Sequence, residues 1–284
     1  MSHHLSTAVQ RQLADFDPHA TYDAAAEDYD RASAVYWNFI GEETVARLRL
    51  RPGESVLDVA CGPGSSAIPA AEQVGPAGSV IALDVAENML AVASARASAR
   101  GLSNLEFRAG DMTKLDLLDA RFDAVICVLG LFFVDDMPAT LASFWRLLRP
   151  GGRLGVAVLG EHFFAPMFDV WKAAVGAERP DLHVSPPWER THDPATLRSL
   201  LVEAGIAPAD VSAEDARMPL RSPDDWWQIV MGTGLRRTVM DIGPEAASRV
   251  REHNLAYIRG HAVTQVVLSA IYAAAEKRGD PSTE

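Results

Sequence analysis

Short apolar runs alternate with amphipathic stretches between residues 55 and 160. The apolar runs predict strands at Ser55–Ala60, Ser79–Leu83, Leu105–Arg108, Ala124–Leu129 and Arg153–Leu159. The stretches between them predict helices near Ser65–Val74, Ala86–Arg100 and Met137–Leu148. Short apolar strands joined by amphipathic helices are typical of a parallel sheet covered on both faces. The pattern therefore predicts an α/β fold with a doubly wound, mostly parallel sheet.

The alternation is lost after Gly160. The next stretch, Glu161–Thr191, carries several aromatic residues among prolines and predicts no regular element. Beyond it we predict a helix at Asp193–Ala204, a sixth strand near Ala209–Glu214 and helices within Ser222–Arg259. For the last apolar stretch, Thr264–Ala275, periodicity allows either a strand or a helix.

Composition narrows the class of protein. Of 284 residues, 48% are hydrophobic, which is enough for a full core in one large domain or a domain with a cap. The net charge of −12 disfavours nucleic acid and anionic membrane as partners, because both are usually bound by a basic face. Two cysteines, no signal-peptide pattern at the start and no apolar run of membrane-spanning length predict a soluble, cytoplasmic protein. We expect a monomer or homodimer that binds a small molecule.

Acidic residues close three successive predicted strands. The first strand runs into Asp58 and a turn with Gly62 and Gly64, and the second and third lead to Asp84 and Asp111. Glycines let a ligand approach the backbone closely, and the helix start beyond them offers free N–H groups. A carboxylate at the end of the second strand is suited to the two hydroxyls of a ribose. The three acids therefore predict a nucleoside pocket at the carboxyl edge of the sheet.

A nicotinamide dinucleotide is the first alternative ligand. Gly62, Gly64 and Ala67 fit a loose dinucleotide-binding pattern, with an acid about 20 residues further on. Against this ligand, Asp58 and Asp111 add negative charge, and Pro63 has no N–H to give to a phosphate. S-adenosylmethionine fits better, because it has an adenosine, a sulfonium and an amino group but no phosphate.

The chain resembles the class I S-adenosylmethionine-dependent methyltransferases, in the branch that includes the ubiquinone/menaquinone-type enzymes. The matching segments are VLDVACGPG at Val56–Gly64, ALDVAENML at Ala82–Leu90, GDM at Gly110–Met112, FDAVICVLGLFFVDD at Phe122–Asp136 and LLRPGGRL at Leu147–Leu154. The resemblance implies a Rossmann-like sheet of seven strands whose last strand is antiparallel. It also implies three segments within a single catalytic domain, namely a helical lid at residues 1–45, the cofactor-binding core at 46–160 and the rest of the sheet with a helical substrate cap at 161–284.

The resemblance also implies roles for individual residues. Asp58 would meet the amino group of the cofactor's methionine part, Asp84 the ribose and Asp111 the adenine amino group, while Tyr22 or Tyr29 would bond the carboxylate. The full set of expected cofactor contacts is Tyr22, Tyr29, Asp58, Ala60, Gly62, Gly64, Asp84, Val85, Met89, Gly110, Asp111, Met112, Val128 and Leu129. The product would be S-adenosylhomocysteine.

The acceptor site is predicted with less detail. Acceptor contacts are expected from Trp37, Phe133, Phe163, Trp227 and Arg236. A base is needed only if the acceptor must lose a proton, and His162, just after the fifth strand, is the candidate. No metal is expected, because no His/Cys cluster has zinc spacing. Asp135 and Asp136 resemble the acids that bind Mg²⁺ in some catechol methyltransferases, but we expect them to start the following helix. The same scaffold also hosts aminopropyl transferases, nicotinamide oxidoreductases and non-catalytic regulators that bind S-adenosylmethionine, so these stay open.

Overall fold

The sheet has seven strands in the order β3-β2-β1-β4-β5-β7-β6. A computed structural model of the protein describes residues 17–29, 34–182, 184 and 186–278, except for the side chains of residues 18, 25 and 27–29. The strands are β1 (Ser55–Val59), β2 (Ser79–Asp84), β3 (Leu105–Ala109), β4 (Phe122–Val128), β5 (Leu148–Leu159), β6 (Asp210–Pro219) and β7 (Gln265–Glu276). Only β7 runs against its neighbours, pairing antiparallel with both β5 and β6. The predicted seven-stranded sheet with an antiparallel last strand is confirmed.

Ten α-helices connect and cover the described strands. They are α1 (Pro18–Tyr29), α2 (Ala34–Leu48), α3 (Ala67–Val74), α4 (Glu87–Ala99), α5 (Met137–Leu147), α6 (Met167–Glu178), α7 (Pro194–Glu203), α8 (Pro223–Met231), α9 (Leu235–Ile242) and α10 (Pro244–Gly260). Short 3-10 turns lie at Leu131–Phe133 and Pro187–Arg190. None of the helices in the described part of the chain has the length and apolar character needed to cross a membrane.

The core lies on both faces of the sheet. Adjacent residues of β1 belong to different apolar clusters. Val56 packs in one cluster, and Leu57 and Val59 pack in the other. Successive side chains of a strand point to opposite faces, so the two clusters are the two sides of the sheet. Helix α3 covers the first cluster through Ala67, Ala70, Ala71 and Val74. This double cover explains why the central strands are apolar throughout.

Local chemistry sets several helix boundaries. Asp136 accepts the N–H of Ala139 and begins α5, and Asp193 accepts the N–H of Thr196 and begins α7. Helix α8 begins with a reciprocal capping box between Ser222 and Asp225. The stretch Ser222–Arg259, predicted only as helices, forms three of them.

Three elements differ from the predicted pattern. Strand β5 begins at Leu148 rather than at the predicted Arg153, so it follows α5 directly. Helix α6 lies in the stretch for which no element was predicted, and it buries Met167, Trp171, Ala174 and Val175 at helical spacing. The sixth strand is longer than predicted, because it continues to Pro219 and pairs with β7 along its whole length. This part of the chain therefore completes the same sheet and also caps its carboxyl edge.

Candidate cofactor and acceptor site

A cavity of about 440 Å³ lies at the carboxyl ends of β1, β2 and β4. In this strand order, β1 is followed by a strand on one side of it and β4 by a strand on the opposite side, so the order of the strands reverses between β1 and β4. Ligands of open α/β sheets bind at such a point. Of the residues predicted to bind cofactor or acceptor, the cavity is lined by Tyr22, Trp37, Ala60, Gly62, Asp84, Val85, Met89, Gly110, Asp111, Met112, Val128, Leu129, Phe133 and Phe163. The structure thus brings together residues that lie more than a hundred positions apart.

The turn after β1 is tied to the end of β2. Ala60 and Gly62 have left-handed backbones, with φ of 55° and 51°. The N–H of Gly62 donates to Oδ2 of Asp84 at 2.7 Å, and the N–H of Ala86 donates to Oδ1 at 2.9 Å. Burial raises the pKa of Asp84, although the hydrogen bonds from Ala86 and Gly62 oppose this. Each carboxylate oxygen keeps a further lone pair that a ligand hydroxyl can use.

Asp58 lies in β1 and is completely buried. Its Oδ2 accepts the hydroxyl of Ser66 at 2.7 Å, while its Oδ1 has no hydrogen-bond partner among the described residues. Burial raises the pKa of Asp58 to about 8, with the Ser66 hydrogen bond opposing and the charge of Asp84 adding to the rise. A buried carboxylate with one unsatisfied oxygen is costly, so it marks a place where a cationic partner would be stabilising.

Asp111 lies beyond β3 in a more open position. Its Oδ1 accepts the N–H and the hydroxyl of Thr113, at 2.9 and 2.7 Å, and its Oδ2 lies 3.0 Å from Nζ of Lys114. Burial raises the pKa of Asp111, but Thr113 and Lys114 outweigh it and hold the pKa below its usual value. Asp111 is therefore a charged acceptor at the acidic part of the cavity, which comprises Gly62, Asp84 and Asp111.

The ends of β1 and β4 touch at the floor of the cavity. Leu129 has a φ of 58°, an unusual value for a residue with a side chain, and its N–H is bonded to the carbonyl of Ala157 at 2.8 Å. At Gly130 an added Cβ would come within 2.5 Å of the Cβ of Ala60. Only glycine allows this approach, and strained backbone of this kind concentrates at functional sites.

Aromatic rings form the other part of the cavity, which comprises Trp37, Phe132, Phe133, Phe163 and Trp188. The ring of Phe163 lies 5.9 Å from Trp37 and 5.7 Å from Trp188, and Phe132 and Phe133 are 4.7 Å apart. Such faces bind flat apolar groups and attract positive charge. We call these five residues the aromatic part.

Arg190 joins the segment that carries Trp188 to the loop after β4. The guanidinium donates to the carbonyl oxygens of Phe132, Val134 and Asp135, at 3.4, 2.9 and 3.1 Å. It comes from the same 3-10 turn as Trp188, so one short segment both supplies a wall of the cavity and holds the loop after β4.

Helix α1 covers the cavity from the amino-terminal side. The N–H and the side-chain amide of Asn88, at the start of α4, donate to the two carboxylate oxygens of Asp23 at 2.8 and 2.7 Å. The ring of Tyr22 meets Phe133 edge to face at 5.6 Å. Burial and the charge of Asp84 raise the pKa of Tyr22, so its phenol stays protonated near neutral pH.

Several predicted site residues lie elsewhere. Asp58 and Gly64 are not among the described residues that line the cavity, and Gly64 instead packs on Ile68. Trp227 packs on the core, while its neighbour Trp226 is fully buried and donates to Asn254 at 2.7 Å. Arg236 donates to the carbonyl of Met231 at 3.4 Å and does not line the cavity.

His162 lies outside the lining of the cavity. Its side chain is 62% exposed, and its Nδ1 lies 3.2 Å from Asp215, so the structure does not bring it to the cavity lining. The side chain of Tyr29 lies outside the described residues. Among those residues no group of three His, Cys, Asp or Glu side chains could hold a metal ion.

Sequence reasoning assigned no cofactor or acceptor contact to five further residues that line the cavity, namely Asp17, His19, Asp135, Trp188 and Thr233. Asp17 and His19 come from the start of the covering helix, and Trp188 comes from an irregular segment. No local periodicity connects these segments to the strand ends. The one available signal was the density of aromatic residues in 161–191.

Comparison with known proteins decides the family. A family model described as a methyltransferase domain matches residues 56–152. Demethylmenaquinone methyltransferase of Symbiobacterium thermophilum is 32% identical over 211 residues, covering 66% of this chain and 84% of that protein. The chain belongs to the S-adenosylmethionine-dependent methyltransferases.

Two further comparisons describe the relationship. Nocamycin O-methyltransferase of Saccharothrix syringae is 36% identical over 135 residues, which is 48% of this methyltransferase and only about half, 48%, of that protein. A crystal structure described as a methyltransferase of Bacillus halodurans has a TM-score of 0.55 at 22% identity, covering 84% of this chain and 99% of that one, and shows the shared fold. The cofactor predicted from the acidic strand ends, S-adenosylmethionine, is confirmed by the family.

Proposed function

We propose that this methyltransferase transfers a methyl group to a small-molecule acceptor held in the aromatic part of the cavity. The observation that carries the proposal is one continuous cavity whose acidic part suits the cofactor and whose aromatic part suits a flat organic molecule. Two relatives, nocamycin O-methyltransferase and demethylmenaquinone methyltransferase, are named for small molecules. Whether oxygen, nitrogen or carbon is methylated depends on the acceptor.

The residues fit S-adenosylmethionine in their chemistry. When bound, it supplies a methyl group that the sulfonium has already activated for in-line displacement. Asp84 would accept the ribose hydroxyls, and Asp111 the adenine amino group, since both carboxylates keep free lone pairs. The unsatisfied Oδ1 of Asp58 would gain a partner from the amino group of the methionine part. Among the described lining residues, no lysine or arginine is available for a pyrophosphate, which disfavours a nicotinamide dinucleotide.

Catalysis in this proposal comes from position and enclosure. The close approach of Gly130 and Ala60 fixes the floor on which donor and acceptor meet. Helix α1 and the aromatic part exclude water, and the aromatic faces stabilise positive charge near the sulfonium. Tyr22 serves as a hydrogen-bond donor, because its raised pKa keeps it protonated.

Calorimetry tests the cofactor, and a coupled assay tests the transfer. We expect S-adenosylmethionine and S-adenosylhomocysteine to bind at roughly micromolar concentration and NADH not to bind. Release of S-adenosylhomocysteine in the presence of a panel of phenols, amines and quinone precursors would then identify an acceptor. Turnover only with a protein or nucleic acid substrate would contradict a small-molecule acceptor.

A further inference from the structure

The ionisable side chains of the cavity are nearly all acidic. Four carboxylates line it, from Asp17, Asp84, Asp111 and Asp135, together with His19. No lysine or arginine is found among the described residues of the lining. The proposed function assigns Asp84 and Asp111 to the cofactor, which leaves Asp17 and the exposed Asp135. Of these two, Asp135 directly follows Phe133 and Val134 in the cavity lining and is the carboxylate next to the aromatic part.

One neutral hydroxyl of the lining is also already hydrogen-bonded within the protein. Thr233 lines the cavity, but its hydroxyl donates to the carbonyl of Val230 at 3.2 Å and accepts the N–H of Leu235 at 3.3 Å. Phe132, Phe163 and Trp188 are buried and present ring surface. An acceptor in this place meets carbon and π surface far more than hydrogen-bond donors.

Two cationic residues at the 3-10 turn that carries Trp188 already have partners within the protein. Arg190 is half-buried, and its guanidinium donates to three carbonyl oxygens of the loop after β4. Lys172 lies 3.7 Å from the carboxylate of Glu189. Neither residue lines the cavity. Burial lowers the pKa of Arg190, and the nearby charge of Asp135 opposes this.

We propose that the acceptor is a flat, largely apolar molecule without negative charge, either neutral or cationic. A carboxylate, phosphate or sulfonate would enter an apolar enclosure with no lysine or arginine among the described lining residues and with the carboxylate of Asp135 at its edge, which is unfavourable on both counts. A neutral or cationic molecule meets no such penalty, and a cation gains from the aromatic faces. The inference rests on the proposed function for the location of the acceptor.

A matched pair of fluorescent probes tests whether the aromatic part excludes negatively charged molecules. Phenylnaphthylamine and anilinonaphthalene sulfonate have the same rings and differ by one sulfonate, and both brighten in apolar cavities. The full chain is first saturated with S-adenosylhomocysteine, which calorimetry verifies, and is then titrated with each probe. We expect the neutral probe to bind at least about tenfold more tightly than the sulfonate.

Three variants locate the effect. Trp188→Leu should weaken the neutral probe, because it removes a wall of the cavity. Asp135→Lys should reduce the ratio by which the neutral probe binds more tightly than the sulfonate. Asp135→Asn should reduce this ratio less. Glu203→Lys makes the same charge reversal at an exposed residue outside the cavity lining and should leave the preference unchanged.

The outcomes separate this inference from the function beneath it. Equal or tighter binding of the sulfonate at the site that Trp188→Leu weakens would overturn the inference. Failure of both probes to bind, in protein that binds S-adenosylhomocysteine, would also overturn it and leave the proposed cofactor site standing. Failure of S-adenosylhomocysteine itself to bind folded protein would overturn both.

Discussion

The buried carboxylate of Asp58 makes the stability of the ligand-free protein depend on pH. It is completely buried, and only one of its oxygens, Oδ2, has a hydrogen-bond partner among the described residues. Burial, opposed by Ser66 and assisted by Asp84, raises its pKa to about 8. In the unfolded chain the same group titrates at about 3.9. The perturbation of interest is Asp58→Asn, which removes the titration and keeps the size and an acceptor for Ser66.

Proton linkage sets the sign and size of the change in the free energy of unfolding with pH. Between the two pKa values the unfolded chain has lost a proton that the folded protein keeps, so the free energy of unfolding falls as pH rises. A one-proton difference corresponds to about 1.4 kcal/mol per pH unit. Between about pH 5 and about pH 7 the contribution of Asp58 to the free energy of unfolding therefore falls by about 3 kcal/mol. Above about pH 8 both states are ionised and the change stops.

Urea unfolding of the wild type and the variant at several pH values measures this effect. We expect the free energy of unfolding of Asp58→Asn, relative to the wild type, to rise with pH at about 1.4 kcal/mol per unit over this range. Asp116→Asn, at an exposed position, should show no comparable trend. A difference that stays constant with pH would refute the reasoning. On the proposed function, the same variant should bind S-adenosylmethionine more weakly, so stability and binding would change in opposite directions.

Three further substitutions have definite expected results. Gly130→Ala should lower the free energy of unfolding by about 1–3 kcal/mol and weaken cofactor binding, because the added Cβ would lie 2.5 Å from the Cβ of Ala60. Gly176→Ala is the control, because a Cβ added there meets no neighbouring group within 4 Å. In urea unfolding this control should be neutral or stabilising. Asp23→Ala should speed the dissociation of S-adenosylmethionine in stopped-flow fluorescence, since it breaks the contact that holds α1 on α4; an unchanged rate would argue against α1 as the cover. Arg190→Met should weaken the neutral probe and leave the calorimetric affinity for S-adenosylhomocysteine unchanged, and equal loss of both would show a general structural role.

The part of the fold that the sequence predicts well is the part in which each strand has a clear apolar pattern of its own. Strands β1 to β4 are short, mostly apolar runs, with Asp58 within β1, Asp84 at the end of β2 and Asp111 just after β3. Strand β7 was ambiguous for a physical reason. It lies between β5 and β6 and is buried over most of its length, so apolar and polar residues do not alternate along it.

The acceptor side of the cavity could not be predicted in the same way. Arg190 reaches the loop after β4 from 56 positions away to bond the carbonyl of Val134, and this contact depends on tertiary packing rather than on any local pattern. His162 was a reasonable candidate from its position after β5, but a position in sequence does not fix where a side chain points. It points to Asp215, outside the cavity lining.

The central claim is that the cavity where β1 meets β4 is the cofactor site. A crystal structure of the complex with S-adenosylhomocysteine tests this claim most directly. We predict the ribose against Asp84, the adenine beside Asp111 and Met112, and the sulfur near Leu129, facing the aromatic part. Density for the ligand at any other place on the protein, or in this cavity with the adenine among the aromatic rings, would contradict the account.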